Sequence, residues 1–189
     1  NRKTKIKKDI KDTLAKLGED FFITEDEALT DEVTSLVEMP NILIGNFEDK
    51  YLSIPEECLT LTMKTNQKYF PVFNRNTGLT NSFIIVSNIS PKNSDQVIHG
   101  NEKVIRPRLA DAEFFYDEDK KLGLTTFCKK LENVIYHHKL GSQKDRAERV
   151  AHKLLYLTKN LNLKFNIDPM VLSLFSKADL LSLMVGEFP

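Results

Sequence analysis

The sequence predicts an α+β module, an antiparallel sheet with flanking helices, over residues 1–140, followed over 141–189 by the first helices of an all-α domain. Three observations carry that reading. Apolar runs of strand length occur at Asn41–Phe47, Tyr69–Phe73 and Ser82–Asn88, and Asn74-Arg75-Asn76-Thr77-Gly78 joins the last two as a hairpin loop would. Segments 2–37 and 94–132 instead carry apolar residues at helical spacing. From Ser142 onward strand signals cease, and Ala147, Val150, Leu154, Leu157 and Leu161 form one helical stripe.

Each element has its own justification. Ile6, Ile10, Leu14 and Leu17 recur at about helical spacing with Lys3, Lys7 and Lys11 on another face, and Gly18 ends this first helix. Thr24 with Glu27 three residues on is a capping-box pattern, which starts a second helix running to about Val37. Pro40 forbids its continuation, and Asn41–Phe47 then reads as a buried strand with Gly45 as a bulge position. Pro55 suits the first position of a helix reaching about Met63. Residues 94–119 read as helical with an interruption near Pro107, 121–132 as a further helix, and 133–142 as a connection ending at Gly141. Pro169 starts a Leu-rich helix toward Val185.

With 41% hydrophobic and 29% charged residues the composition is that of a soluble globular protein, and no apolar run approaches the roughly 20 residues that span a bilayer. Cys58 and Cys128 form no CxxC pair and read as reduced thiols of a cytoplasmic protein. The sequence starts at Asn1 rather than Met, which suggests an internal fragment of a longer polypeptide. Net charge is zero but the charges are sorted: residues 1–17 carry +5, 19–57 carry −11, and 120–164 carry +8. A local patch, not the total, sets the footprint for a polyanion, so nucleic acid remains open.

No Walker loop, GxGxxG, HExxH or GxSxG pattern occurs, and His137-His138 are adjacent, so their side chains diverge rather than share a metal. Asp117-Glu118-Asp119 lack the spacing of a calcium loop and have Lys120 and Lys121 at ion-pairing distance along a helix. The candidate sites are basic. Arg106 and Arg108 flank Pro107; a stiff turn there would aim two guanidinium forks at phosphate, or equally at Asp111 and Glu113 as an internal lock. Lys64 and Lys68 bracket Thr65-Asn66-Gln67 beside Tyr69-Phe70, as in RNA-contacting loops or as in a solvated loop with core aromatics. Arg146, Arg149 and Lys153 share a helical face, with Lys144 just before, as a phosphate-tracking stripe or a plain solvated face. Phe114, Phe115 and Tyr116 in a row cannot all face one core, which leaves at least one for a partner surface or partial exposure. That aromatic run and the acidic block 19–57 suit a protein partner better than RNA.

Several strings resemble one family. Asp31-Glu32-Val33-Thr34-Ser35-Leu36-Val37-Glu38-Met39-Pro40, the run Thr62–Val72 (TMKTNQKYFPV), Phe83–Ile89 (FIIVSNI) and Gly100–Phe115 (GNEKVIRPRLADAEFF) are similar to segments of the β subunit of bacterial heterotetrameric glycyl-tRNA synthetase. Leu140-Gly141-Ser142 with Lys144-Asp145-Arg146, and Ser176-Lys177-Ala178-Asp179-Leu180, resemble further segments in the same order. The likeness runs from about residue 24 to the end and is loose over 1–23.

The resemblance implies a module like the B domain of tRNA-synthetase β subunits, followed by the start of an HD-type helical domain. It implies a non-catalytic part of a glycine–tRNA ligase, cytoplasmic, supporting tRNA(Gly) binding and assembly of two α with two β subunits. ATP and Mg²⁺ would be used on the α subunit, and no cofactor would sit in the present polypeptide. Lys64, Lys68, Arg106, Arg108, Arg146 and Arg149 are then the candidate tRNA contacts. Where a working HD phosphohydrolase needs a His-Asp pair, this sequence has Ala178-Asp179, so a structural or RNA-contacting role is expected there. Two rival readings are a protein-interaction scaffold without RNA contact and an editing-type hydrolase. The latter is disfavoured because glycine is small enough for larger amino acids to be excluded sterically.

Overall fold

The computed structural model describes residues 1–90, 93–164 and 166–188, and divides into two compact units, Asn1–Glu113 and Phe114–Pro189. That division lies ahead of the change in sequence character near residue 140.

The first unit is α+β. Helix α1 (Arg2–Leu17) buries Ile6, Ile10 and Leu14 along one stripe and stops at Gly18, whose φ of 137° few side chains tolerate. Leu17, the last member of the predicted stripe, is exposed. After the two-residue strand β1 (Phe21–Phe22) comes α2 (Glu27–Leu36). Its cap is not the Thr24–Glu27 box. Asp26 is the N-cap, and its carboxylate accepts from the Leu29 N–H at 2.9 Å.

Strands β2 (Asn41–Asn46), β3 (Phe70–Asn74) and β4 (Gly78–Ser87) complete an antiparallel sheet in the order β1-β3-β4-β2. The hairpin between β3 and β4 closes on the pair Asn74–Gly78, with Gly78 at φ 82°. Gly45 is not a bulge. The β2–β4 register runs unbroken from Asn41 to Asn46, and Gly45 lies opposite Phe83, whose ring stands where a Cβ would be. The one irregularity in β3 falls between Pro71 and Phe73, next to a residue with no N–H for a ladder.

Both faces of the sheet are covered. Phe70, Val72 and Ile84, with Ile42, Ile44 and Val86, pack against Ile6, Ile10, Leu14, Leu29 and Val33 of α1 and α2. The alternate residues of β2 and β4, including Leu43, Phe83 and Ile85, point the other way and are also buried, and Phe83 stacks against Tyr69 and Phe47. Helix α3 (Glu56–Leu61) leads into a π-helical turn over Thr62–Asn66. The long helix α4 (Ser94–Leu122) gives its residues 94–113 to this unit. It is tied on by the Tyr69 hydroxyl, which donates to Asn101 at 2.6 Å, and by the Asn46 N–H, which donates to Glu102 at 2.8 Å.

Pro107 does not interrupt α4. The proline leaves one carbonyl a turn earlier unpaired, and Lys103 and Pro107 are both solvent-exposed, so water can satisfy it.

In the second unit α5 (Leu124–Lys130) buries Phe127 and Cys128 against Ala178, with Leu174 and Leu181 alongside. The predicted connection over 133–142 contains a small hairpin, β5 (Ile135–His137) with β6 (Gly141–Ser142). Helix α6 (Gln143–Leu161) starts with a full capping box: the Ser142 hydroxyl takes the Asp145 N–H, and the Asp145 carboxylate takes the Ser142 N–H. It ends at Asn162, left-handed at φ 50°. Helices α7 (Pro169–Phe175) and α8 (Leu183–Glu187) follow, the latter anchored by the Asp119 carboxylate, which accepts from the Leu183 and Met184 N–H groups.

Candidate nucleic-acid interface

The six basic candidates separate by environment. Lys64 lies in the π turn and Lys68 just beyond it at φ 58°, an uncommon backbone state for a residue with a side chain. Both amines reach α2: Lys64 Nζ is 3.0 Å from the Asp26 carboxylate and Lys68 Nζ is 2.9 Å from that of Glu32. Asp26 is held below the usual carboxylate range, first by the Leu29 N–H and then by Lys64. This pair of lysines is thus brought together, as two clips between the π turn and α2.

Arg106 and Arg108 are not brought together. Because α4 continues through Pro107, the two side chains leave the helix about 200° apart and present no double fork. Arg106 Nε meets Glu48 at 2.5 Å, not Asp111 or Glu113, and Glu113 is taken by Lys50 at 3.1 Å. Arg108 makes no ion pair among the described residues.

Arg146 and Arg149 belong to α6. The Arg146 guanidinium lies 4.5 Å from the Tyr136 ring centroid, a cation–π contact between the helix and β5. Arg149 and Lys153 are exposed and make no ion pair among the described residues. Lys144 pairs with Glu132 at 3.1 Å. Tyr156, which the sequence motifs do not single out, is 67% exposed one turn beyond Lys153. Its spacing is the signal that could have found it: it stands at i+3 from Lys153 and i+7 from Arg149.

Other sequence expectations have plain outcomes. Phe114 is 59% exposed and meets Phe115 edge-on, while Phe115 and Tyr116 are half-buried. Of the acidic run, Glu118 pairs with Lys121 at 2.6 Å, and Lys120 lies over the Tyr116 ring. Among the described residues no three His, Cys, Asp or Glu side chains are gathered as a metal site requires, and no helix is long and apolar enough to cross a membrane. Ala178 is buried, whereas Asp179 beside it is exposed.

The model of the family described as glycyl-tRNA synthetase beta subunit matches residues 1–189. This protein belongs to that family. It is 48% identical over its whole length to the glycine–tRNA ligase beta subunit of Janthinobacterium sp. (strain Marseille), and 49% identical to that of Polaromonas naphthalenivorans (strain CJ2). Over 87% of its length it is 52% identical to the beta subunit of Dechloromonas aromatica (strain RCB). The family match takes in residues 1–23, where the motifs gave only a loose likeness. The sequence spans about a quarter of these curated relatives, 27% of the first two and 23% of the third.

Proposed function

We propose that this polypeptide is a non-catalytic part of the β subunit of a cytoplasmic glycine–tRNA ligase. Its work there is to support tRNA(Gly) binding and assembly with the α subunit, in a tetramer of two α and two β subunits. Glycine and ATP with Mg²⁺ would react on the α subunit. The observation that carries the reading is the family match over all 189 residues. The lone Asp179, with no histidine beside it, fits a structural or RNA-contacting role for the second unit rather than phosphate-ester hydrolysis.

The RNA part of the reading rests most firmly on α6. Residues 120–164 carry +8, and Arg149 and Lys153 stand exposed without ion-pair partners among the described residues. Arg108 is the comparable residue of the first unit. Lys64, Lys68 and Arg106 already hold carboxylates, so phosphate would have to displace those partners.

The test uses the assembled ligase with Arg149 reversed to Glu. Weaker tRNA affinity that falls steeply with salt, with α–β assembly intact, supports RNA contact. Loss of assembly at unchanged tRNA affinity supports the scaffold reading instead. One observation favours that second reading: Val150, Leu157 and Leu161 of the predicted α6 stripe stay largely exposed, Leu161 at 62%.

A further inference from the structure

The outer face of α6 carries more than charge. At 100° per residue, with buried Ala147 taken as zero, Arg146, Lys153, Asn160, Arg149 and Tyr156 fall within one sector of roughly 80°. No acid of α6 lies inside that sector. The nearest by angle is Asp145, one turn before Arg149; its carboxylate accepts from the Ser142 N–H and hydroxyl at the helix start and also feels the Arg149 charge.

Tyr156 is the anomaly in this row. It is not part of the apolar strip of Val150, Leu157 and Leu161, because Arg146 and Lys153 run between the two sectors. A protein partner seated on the strip would leave its ring uncovered. An exposed aromatic ring set among cations and off that apolar strip matches a stacking platform beside a phosphate track.

A second platform stands at the start of the helix, where Tyr136 is exposed and Arg146 stacks on it. Residues 146 and 156 are separated by about 15 Å along the axis.

We propose that this face of α6 binds an unpaired stretch of RNA. Arg149 and Lys153 contact successive phosphates, one base stacks on Tyr156, and another meets the Tyr136–Arg146 pair. The proposal rests on the reading that the second unit touches RNA, and it adds that the strand there is single. A duplex hides its base faces and closes its deep groove to side chains, so it can offer phosphates to Arg149 but no base to Tyr156.

The experiment uses the full-length β polypeptide assembled with its partner subunit. Two fluorescent probes are titrated at low salt: a short single-stranded RNA, and a blunt RNA duplex of the same length. Tyr156→Leu should weaken single-strand binding about fivefold to a hundredfold and leave duplex binding unchanged. Tyr156→Phe, which keeps the ring, should bind as the parent does. A 5-iodouridine probe should crosslink to Tyr156. Arg149→Glu with Lys153→Glu should weaken both probes.

If the double charge reversal weakens binding while Tyr156→Leu does not, the stacking proposal falls and the RNA reading stands. If neither changes RNA affinity, both fall. If Tyr156→Leu breaks subunit assembly at unchanged RNA affinity, the face is a protein interface and the proposal is overturned.

Discussion

Gly45→Ala is the sharpest test of how the sheet is packed. An added Cβ would lie 2.6 Å from Phe83 Cζ and 2.9 Å from Cε2, closer than real Cβ contacts come. Phe83 is fully buried and held between Tyr69 at 4.8 Å and Phe47 at 6.4 Å between ring centroids, so its ring cannot swing away freely. Overpacking of this kind costs about 1–3 kcal/mol. Against it, alanine in place of a strand glycine recovers about 0.5–1 kcal/mol of backbone entropy. The net expectation is a loss of up to roughly 2.5 kcal/mol.

The double variant decides the cause. In a Phe83→Leu background the obstructing ring atoms are gone, so Gly45→Ala should become neutral or stabilising by up to about 1 kcal/mol. The assay is amide hydrogen exchange of the peptides covering 41–47 and 82–87, which reads this sheet rather than the whole molecule. Equal destabilisation by Gly45→Ala in both backgrounds would refute the account: the obstruction would then be Ile85 Cδ1, 3.2 Å from the added Cβ, or the backbone itself, and not the Phe83 ring.

Acid should loosen α1 from α2: Glu27 is depressed to about 2 by its hydrogen bonds from Lys3 and Lys7, so its contribution is present above pH 4.5 and disappears as pH falls toward 2. Glu27→Gln should flatten that acid limb of stability in circular dichroism, and high salt should do so partly. Asp26→Ala should cost about 1–2 kcal/mol because it removes the α2 cap and the Lys64 partner together, whereas Asp26→Asn should keep the cap and lose less. Burial pushes the Tyr69 hydroxyl up to about 12, so stability should fall as pH rises past 10 toward 12, and Tyr69→Phe should flatten that alkaline limb in circular dichroism. Gly141→Ala should destabilise the start of α6, since φ there is 85° and a Cβ would overlap the Asp145 carboxylate that caps the helix.

The layers of the first unit are legible in the sequence because period alone encodes them: Ile6, Ile10 and Leu14 at helical spacing, and Ile42, Ile44 and Val72 on alternate strand positions. The features that are not legible are decided by surroundings that local pattern does not record. Gly45 reads as a bulge until Phe83, far along the polypeptide, is found filling the space above it. Pro107 reads as a break because local rules count the lost hydrogen bond, but not an exposed helix side where water replaces it. The π turn over Thr62–Asn66 has no compositional signature, and the left-handed Lys68 is neither Gly nor Asn, so neither can be read from residue type.

The same limit governs the candidate contacts, and its resolution changes which cations count. From sequence alone the acidic block 19–57 reads as a surface for a protein partner. In the structure Asp26, Glu27, Asp31 and Glu32, four of its twelve acids, face Lys3, Lys7, Lys64 and Lys68, so the α2 part of that charge is neutralised inside the first unit, holding α1 and the π turn to α2. Exposed pairs of this kind contribute little each. They still lower the positive potential that Lys64 and Lys68 could offer to phosphate. On α6 the competition is weaker: Asp145 caps the helix start and acts on Arg149 only through space, without an ion pair, Glu148 lies on another sector, and Arg149 and Lys153 face solvent. A phosphate backbone approaching this protein therefore finds fewer competing carboxylates on the second unit. On the proposed tRNA reading, charge reversal at Arg149 should reduce tRNA affinity more than reversal at Lys64, and the Lys64 variant should show its loss first in the stability of α2.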